Sequence, residues 1–126
     1  MMAEHNDTGM RGERMARKFL EEKGYEILDE NWTAGKSEVD IVAFKDGVII
    51  FVEVKTRTSA NYGQPESFVT SAKMEQLARA AEEYVEIMEH IGEIRFDVIS
   101  VLFNAQNRYE ITHFVDAFWP DGHQTD

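Results

Sequence analysis

No cysteine occurs among the 126 residues. That excludes disulfides, thiolate-held zinc and cysteine nucleophiles, and it suits a reducing cytoplasm. Long apolar runs are missing too. None approaches the roughly 20 residues that cross a bilayer, and the opening MMAEHNDTGMRGER has no apolar core of the signal-peptide kind. A cytoplasmic chain with no membrane partner is expected. Positive charge is scarce, 13 Lys and Arg against 24 Asp and Glu, for a net charge of −11. Broad, sequence-blind nucleic-acid binding needs a basic surface that displaces counterions, and this composition argues against it. The charge is uneven, however. Arg11, Arg14, Arg17 and Lys18 cluster early, and Lys55, Arg57, Lys73 and Arg79 lie mid-chain, so a local basic face stays open.

What is present is a globular composition, 43% hydrophobic, in a chain long enough for one domain and too short for two. No repeat, linker or low-complexity tract divides it. The spacing predicts a helix from Thr8, as N-cap, to Lys23, stopped by Gly24. Strands follow at Tyr25–Trp32, Ser37–Phe44 and Val48–Thr56, the last two closing on the tight-turn pair Asp46-Gly47. After a polar loop containing Gly63 and Pro65, a second helix runs from Thr70 or Ser71 to His90. Its inward stripe reads as Met74, Leu77, Ala78, Ala81, Val85 and Met88. Two more strands, Ile94–Phe103 and Tyr109–Val115, complete the order α-β-β-β-α-β-β. The expected fold is an α/β sandwich, a mixed central sheet flanked by helices. It spans residues 8–118, with flexible termini at 1–7 and 119–126.

The stretch FVEVKTR, Phe51 to Arg57, raises a physical question. Strand side chains alternate faces, so Glu53, Lys55 and Arg57 continue the face that carries Ile49 and Phe51. Val48 to Val52 is apolar on both faces and belongs mid-sheet, where a carboxylate and an ammonium need a reason. With Asp46-Gly47 as a two-residue turn, Lys45 opposes Val48. Counting back sets Asp40 opposite Glu53 and Glu38 opposite Lys55. Opposed Cβ atoms lie roughly 4.5–5.5 Å apart, so the two acids repel unless something neutralises them. Mg²⁺ or Mn²⁺ is the simplest candidate, with Lys55 beside it. A third acid, Glu13, falls with Ala16 and Leu20 on or beside the inward stripe of the first helix, where an unpaired carboxylate is costly.

These residues resemble the core of the PD-(D/E)XK nucleases. The closer resemblance is to the YraN family of bacterial proteins, itself similar to Holliday-junction resolvases and largely of undetermined function. It covers nearly the whole chain: Gly12-Glu13, Gly24-Tyr25, Asn31-Trp32, Ser37-Glu38-Val39-Asp40, FVEVKTR, Gly63 with Pro65, Lys73, Arg95-Phe96-Asp97 and Ala117-Phe118. The family's usual Gly-Glu-Ile-Asp stands here as Ser37-Glu38-Val39-Asp40, which gives up glycine's backbone freedom and keeps the acids. The resemblance implies a restriction-endonuclease-like fold with nucleic acid, DNA first, as partner, and endonuclease chemistry on branched DNA among its uses. Asp40 and Glu53 would hold one or two Mg²⁺ ions with the Val54 carbonyl, and Glu13 would complete the shell or hold an outer water. Lys55 would orient or deprotonate the attacking water and stabilise the phosphate. Arg57, Lys73 and Gln76 would contact nucleic acid.

Plainer readings stand beside these. Glu38 and Lys55 can be a cross-strand ion pair, and Asp40 and Glu53 a strand end emerging into water. Glu13 can be an acid favoured by a helix N-terminus, and Lys73 an exposed helix residue. Arg95 and Asp97 read as structural pairing. Trp32 reads as core packing before base stacking, a role also open to Tyr62. His5, His90, His113 and His123 show no ligand spacing, which argues against zinc. For the whole chain, a metal-dependent endonuclease competes with a non-catalytic module that docks nucleic acid or protein. The acidic charge and small size favour the module, and a homodimer is a third possibility.

Overall fold

Asp46 and Gly47 both take left-handed backbone, with φ of 52° and 82°. Two such residues in succession make the hairpin turn whose twist matches that of the flanking strands. On this turn β2 (Ser37–Lys45) and β3 (Val48–Thr58) pair antiparallel from Lys45↔Val48 to Ile41↔Val52. The computed structural model describes residues 3–58, 69–106 and 108–119; Tyr62, Gly63 and Pro65 lie outside them. The remaining elements are α1 (Ala3–Glu22), β1 (Glu26–Ala34), α2 (Ser71–Met88), β4 (Ile94–Phe103) and β5 (Tyr109–Phe114). The expected α/β architecture and element order are observed. No helix among the described residues is long and apolar enough to cross a membrane.

The five strands lie in sequence order, β1-β2-β3-β4-β5. Only β3 and β4 are parallel, and a parallel pair needs a crossover, which α2 supplies. One layer packs Ala16 and Leu20 of α1 on Ile41, Ala43, Ile50, Val52, Ile99 and Val101. The other packs Leu77, Ala80, Ala81 and Tyr84 of α2 on Val42, Ile49, Phe51 and Phe96. Gly12 lets α1 approach β3 closely, because a Cβ there would overlap the Thr56 hydroxyl.

Several boundaries differ from the sequence reading, each for a local reason. The first helix begins at Ala3 rather than Thr8, since nothing between them is proline or glycine and a helix once nucleated propagates cheaply. The second ends at Met88, where Glu89 turns left-handed and its N–H returns to the Glu86 carbonyl. Its buried stripe is Leu77, Ala80, Ala81 and Tyr84. Met88 is instead 48% exposed. Tyr84 belongs inside despite its hydroxyl because that hydroxyl donates to Asp29 at 2.7 Å. Trp32 is core, edge-on to Tyr84.

Candidate metal and phosphate site

The site forms where β2 stops following β3. Ile41 and Ala43 pack in the α1 layer, whereas Val39 packs in the α2 layer together with Val42. Strict alternation would put Val39 with Ile41, so the strand changes face at Asp40. Its neighbour β1 does the same. Glu30 pairs with Ile41 and Trp32 with Val39, and between them Asn31 takes left-handed backbone, φ 51°. The β2–β3 register ends at Ile41↔Val52, so the expected ladder pairs Asp40–Glu53 and Glu38–Lys55 are replaced by another arrangement. The Asp40 carboxylate accepts the Val54 N–H at 2.8 Å, in place of the main-chain acceptor that continued pairing would have supplied. The N–H and C=O of one strand residue face the same neighbour. The Val54 carbonyl is therefore directed at the same gap.

Glu53 is buried, at 5% exposure, and extends the β3 face of Ile49 and Phe51. Its Oε2 lies 3.4 Å from Lys55 Nζ and its Oε1 3.8 Å from Lys73 Nζ. Among the described residues no hydrogen bond reaches Oε1, although that atom is shielded from water. Burial, then the neighbouring Glu53 charge, pushes the Asp40 carboxyl up to about 7. The plain cross-strand pair of Lys55 with Glu38 is not found among the described residues; Lys55 turns to Glu53 instead.

Glu13 reaches the cluster from α1, next to Gly12 and its close approach to β3. With its carboxamide nitrogen facing the acids, the orientation that satisfies the network, Asn31 donates to Glu13 Oε1 at 3.2 Å and to Glu38 Oε2 at 3.3 Å. Burial raises the Glu13 pKa, and the Asn31 hydrogen bond offsets part of that rise. The charges of Glu38, Glu30 and Glu53 raise it further. Glu13 thus senses the cluster through space and is held by Asn31. Among the described residues no three His, Asp or Glu side chains are grouped closely enough to hold one ion together. The donor set at the strand separation is two carboxylates and a carbonyl. That set fits Mg²⁺ or Mn²⁺, which keep several waters and need only one or two protein carboxylates, and Glu53 Oε1, with Lys73 at 3.8 Å and no hydrogen bond among the described residues, is the oxygen open to an ion.

Lys73 is not a freely exposed helix residue. It stands four residues before Leu77, on the buried stripe of α2 extended by one turn, and the Thr70 hydroxyl accepts its N–H at 3.1 Å. That spacing is the signal the sequence carried. The role of Asn31 in the site has no signal in the sequence, because a left-handed residue inside a strand has no periodic signature. Arg57 lies on the Glu53–Lys55 face, its guanidinium donating to the Thr56 carbonyl at 2.9 Å. Gln76 lines a depression with Ala34, Lys36, Ser37, Arg79 and Glu83.

Asp97 forms a separate structural centre. Fully buried, it accepts two hydrogen bonds from Arg95, each at 2.9 Å, a third from the Asp116 N–H at 2.9 Å, and contacts His113 Nε2 at 2.7 Å. The Arg95 guanidinium also donates to the Tyr25 hydroxyl at 2.9 Å. Burial raises the Asp97 pKa, but His113, Arg95 and the Asp116 amide together outweigh it, and the net direction is down. The structural pairing expected of Arg95 and Asp97 is what is seen.

Fold and site together define a small α/β protein with two acids and two amines gathered where adjacent strands separate. The chain belongs to the uncharacterised protein family UPF0102, whose model matches residues 12–101; this is the YraN family that the sequence resembles. It is 48% identical over 118 residues to the UPF0102 protein of Flavobacterium psychrophilum, covering 94% of this chain and 98% of that one. The UPF0102 protein of Bacteroides thetaiotaomicron is 42% identical over 119 residues, with the same coverage of each chain. That of Clostridium perfringens is 40% identical over 120 residues, covering 93% of this chain and 98% of the other.

Proposed function

We propose that this protein is a metal-dependent endonuclease-like enzyme that hydrolyses phosphodiesters in nucleic acid, branched DNA included. The observation that carries the reading is the buried Glu53, one oxygen without a hydrogen bond among the described residues, beside an Asp40 whose carboxyl the Glu53 charge pushes up. Burying two acids together is unfavourable unless a cation completes them. Asp40 and Glu53 would hold Mg²⁺ or Mn²⁺ with the Val54 carbonyl, and Glu13, held by Asn31, would position an outer water. The ion when bound supplies Lewis acidity and a water of lowered pKa. Lys55, 3.4 Å from Glu53, would orient the attacking water and neutralise charge on the phosphoryl oxygen. Arg57 borders the same strand face and contacts the nucleic-acid backbone. A second copy of the chain would serve the other strand of a duplex.

The test is a nicking assay with Mg²⁺ or Mn²⁺ across single-stranded, linear duplex, flapped and four-way DNA. Cleavage by the wild type and its loss in Glu53→Ala are expected. Protein inert on all four substrates would refute the enzyme reading. The net charge of −11 favours a second reading, a docking module on the same fold. Binding of a partner that survives loss of both Asp40 and Glu53 would select it.

A further inference from the structure

We propose that Lys73 is the resident counter-ion of the acid pair, closing the site in the ion-free protein and leaving when a divalent cation enters. The inference rests on the metal-site reading above. It starts from the division of labour on Glu53, where Lys55 approaches Oε2 and Lys73 approaches Oε1, the buried oxygen with no hydrogen bond. At 3.8 Å the ammonium is too far to donate a hydrogen bond yet near enough to compensate charge. The Lys73 side chain is 30% exposed although it springs from the first turn of a helix. An ammonium ordinarily reaches for water from such a place.

An ion bound to Glu53 Oε1 would lie roughly 2.0–2.1 Å from it, closer than the 3.8 Å at which Lys73 Nζ stands. A divalent cation and an ammonium that close repel strongly in a partly buried setting. One must move. The backbone of Lys73 is fixed by the Thr70 cap, but its four-carbon stem is flexible, so Nζ swings out while the helix stays. Lys55 faces the other oxygen of the same carboxylate, at 3.4 Å, so the contest for Oε1 itself falls on Lys73. Lys73 is thus a positioning residue whose charge competes with the ion, and removing that charge tightens ion binding.

The test compares Mn²⁺ affinity by calorimetry at pH 8.5 for wild type, Lys73→Met and Glu53→Gln, with thermal unfolding to confirm that each is folded. Methionine keeps the unbranched stem and removes the charge. The expected result is at least tenfold tighter Mn²⁺ binding by Lys73→Met and loss of binding by Glu53→Gln. Equal or weaker binding by Lys73→Met, with Glu53→Gln still deficient, would overturn the counter-ion role and leave the metal site standing. No Mn²⁺ binding by either wild type or Lys73→Met would overturn both. In the wild-type protein, an Mg²⁺ titration followed by lysine side-chain NMR should move the Lys73 signal toward that of solvated lysines, with the midpoint of ion binding. A Lys73 signal unmoved at saturation would refute the displacement.

Discussion

Asp40→Asn should stabilise the ion-free protein, and by more as the pH rises. The carboxyl titrates at about 7 in the fold and at about 3.9 in an unfolded chain. A raised pKa means that the folded state binds the proton more tightly, so stability falls as pH climbs between the two values and levels off above the upper one. From pH 5 to pH 8 the loss is roughly 2–3 kcal/mol at 1.36 kcal/mol per unit. Asparagine keeps an oxygen to accept the Val54 N–H and carries no charge, so the variant escapes this loss. Urea unfolding of EDTA-treated protein at pH 5, 6, 7 and 8 measures the gap. With a urea slope of about 1–3 kcal/mol/M, the variant's midpoint should gain on the wild type by about 1 M or more across that range. Added Mn²⁺ at pH 8 should narrow the gap by stabilising the wild type. A gap that does not change with pH, or a variant less stable than wild type at pH 8, would refute the reasoning.

Asp97→Ala should lower stability by roughly 3–5 kcal/mol in thermal or urea unfolding, because Arg95 loses its carboxylate partner while partly buried. The Asp97 pKa is depressed, so its contribution is present above the unfolded value and lost as pH falls through the folded one; acid unfolding of wild type and variant should converge. Gly12→Ala should cost about 1–3 kcal/mol by overpacking against Thr56, and Thr56→Ala in the same chain should restore part of it. Thr70→Ala should cost about 1 kcal/mol by removing the cap of α2. It should also weaken the hold on Lys73, which an Mn²⁺ titration can register.

The hairpin was legible because its determinants are local. Asp46-Gly47 named the turn, the turn named the register, and the register holds as far as Ile41↔Val52. Beyond that point the counting rule fails, since it assumes that β2 keeps its phase. The change of face at Asn31 and Asp40 is a cooperative property of two strands, and neither shows it alone. The acids, Lys55 and Glu13 were found by type and spacing; how they touch was not. Lys55 turns along its own strand to Glu53 rather than across to Glu38, and Glu13 is held through an amide. The α2 stripe also takes in Ala80 and Tyr84, and the Tyr84 phenol belongs there through its partner Asp29, far away in sequence.

Asp40 uses one carboxylate oxygen to stand in for main chain. The end of the sheet is therefore stitched by a side chain that can also respond to charge. Anything that draws electron density from its other oxygen alters the hold on the Val54 N–H, and through Val54 the edge of β3 that runs beside β4 to Thr58 and Phe103. Hydrogen exchange at that single amide becomes a built-in gauge of what the carboxylates are doing.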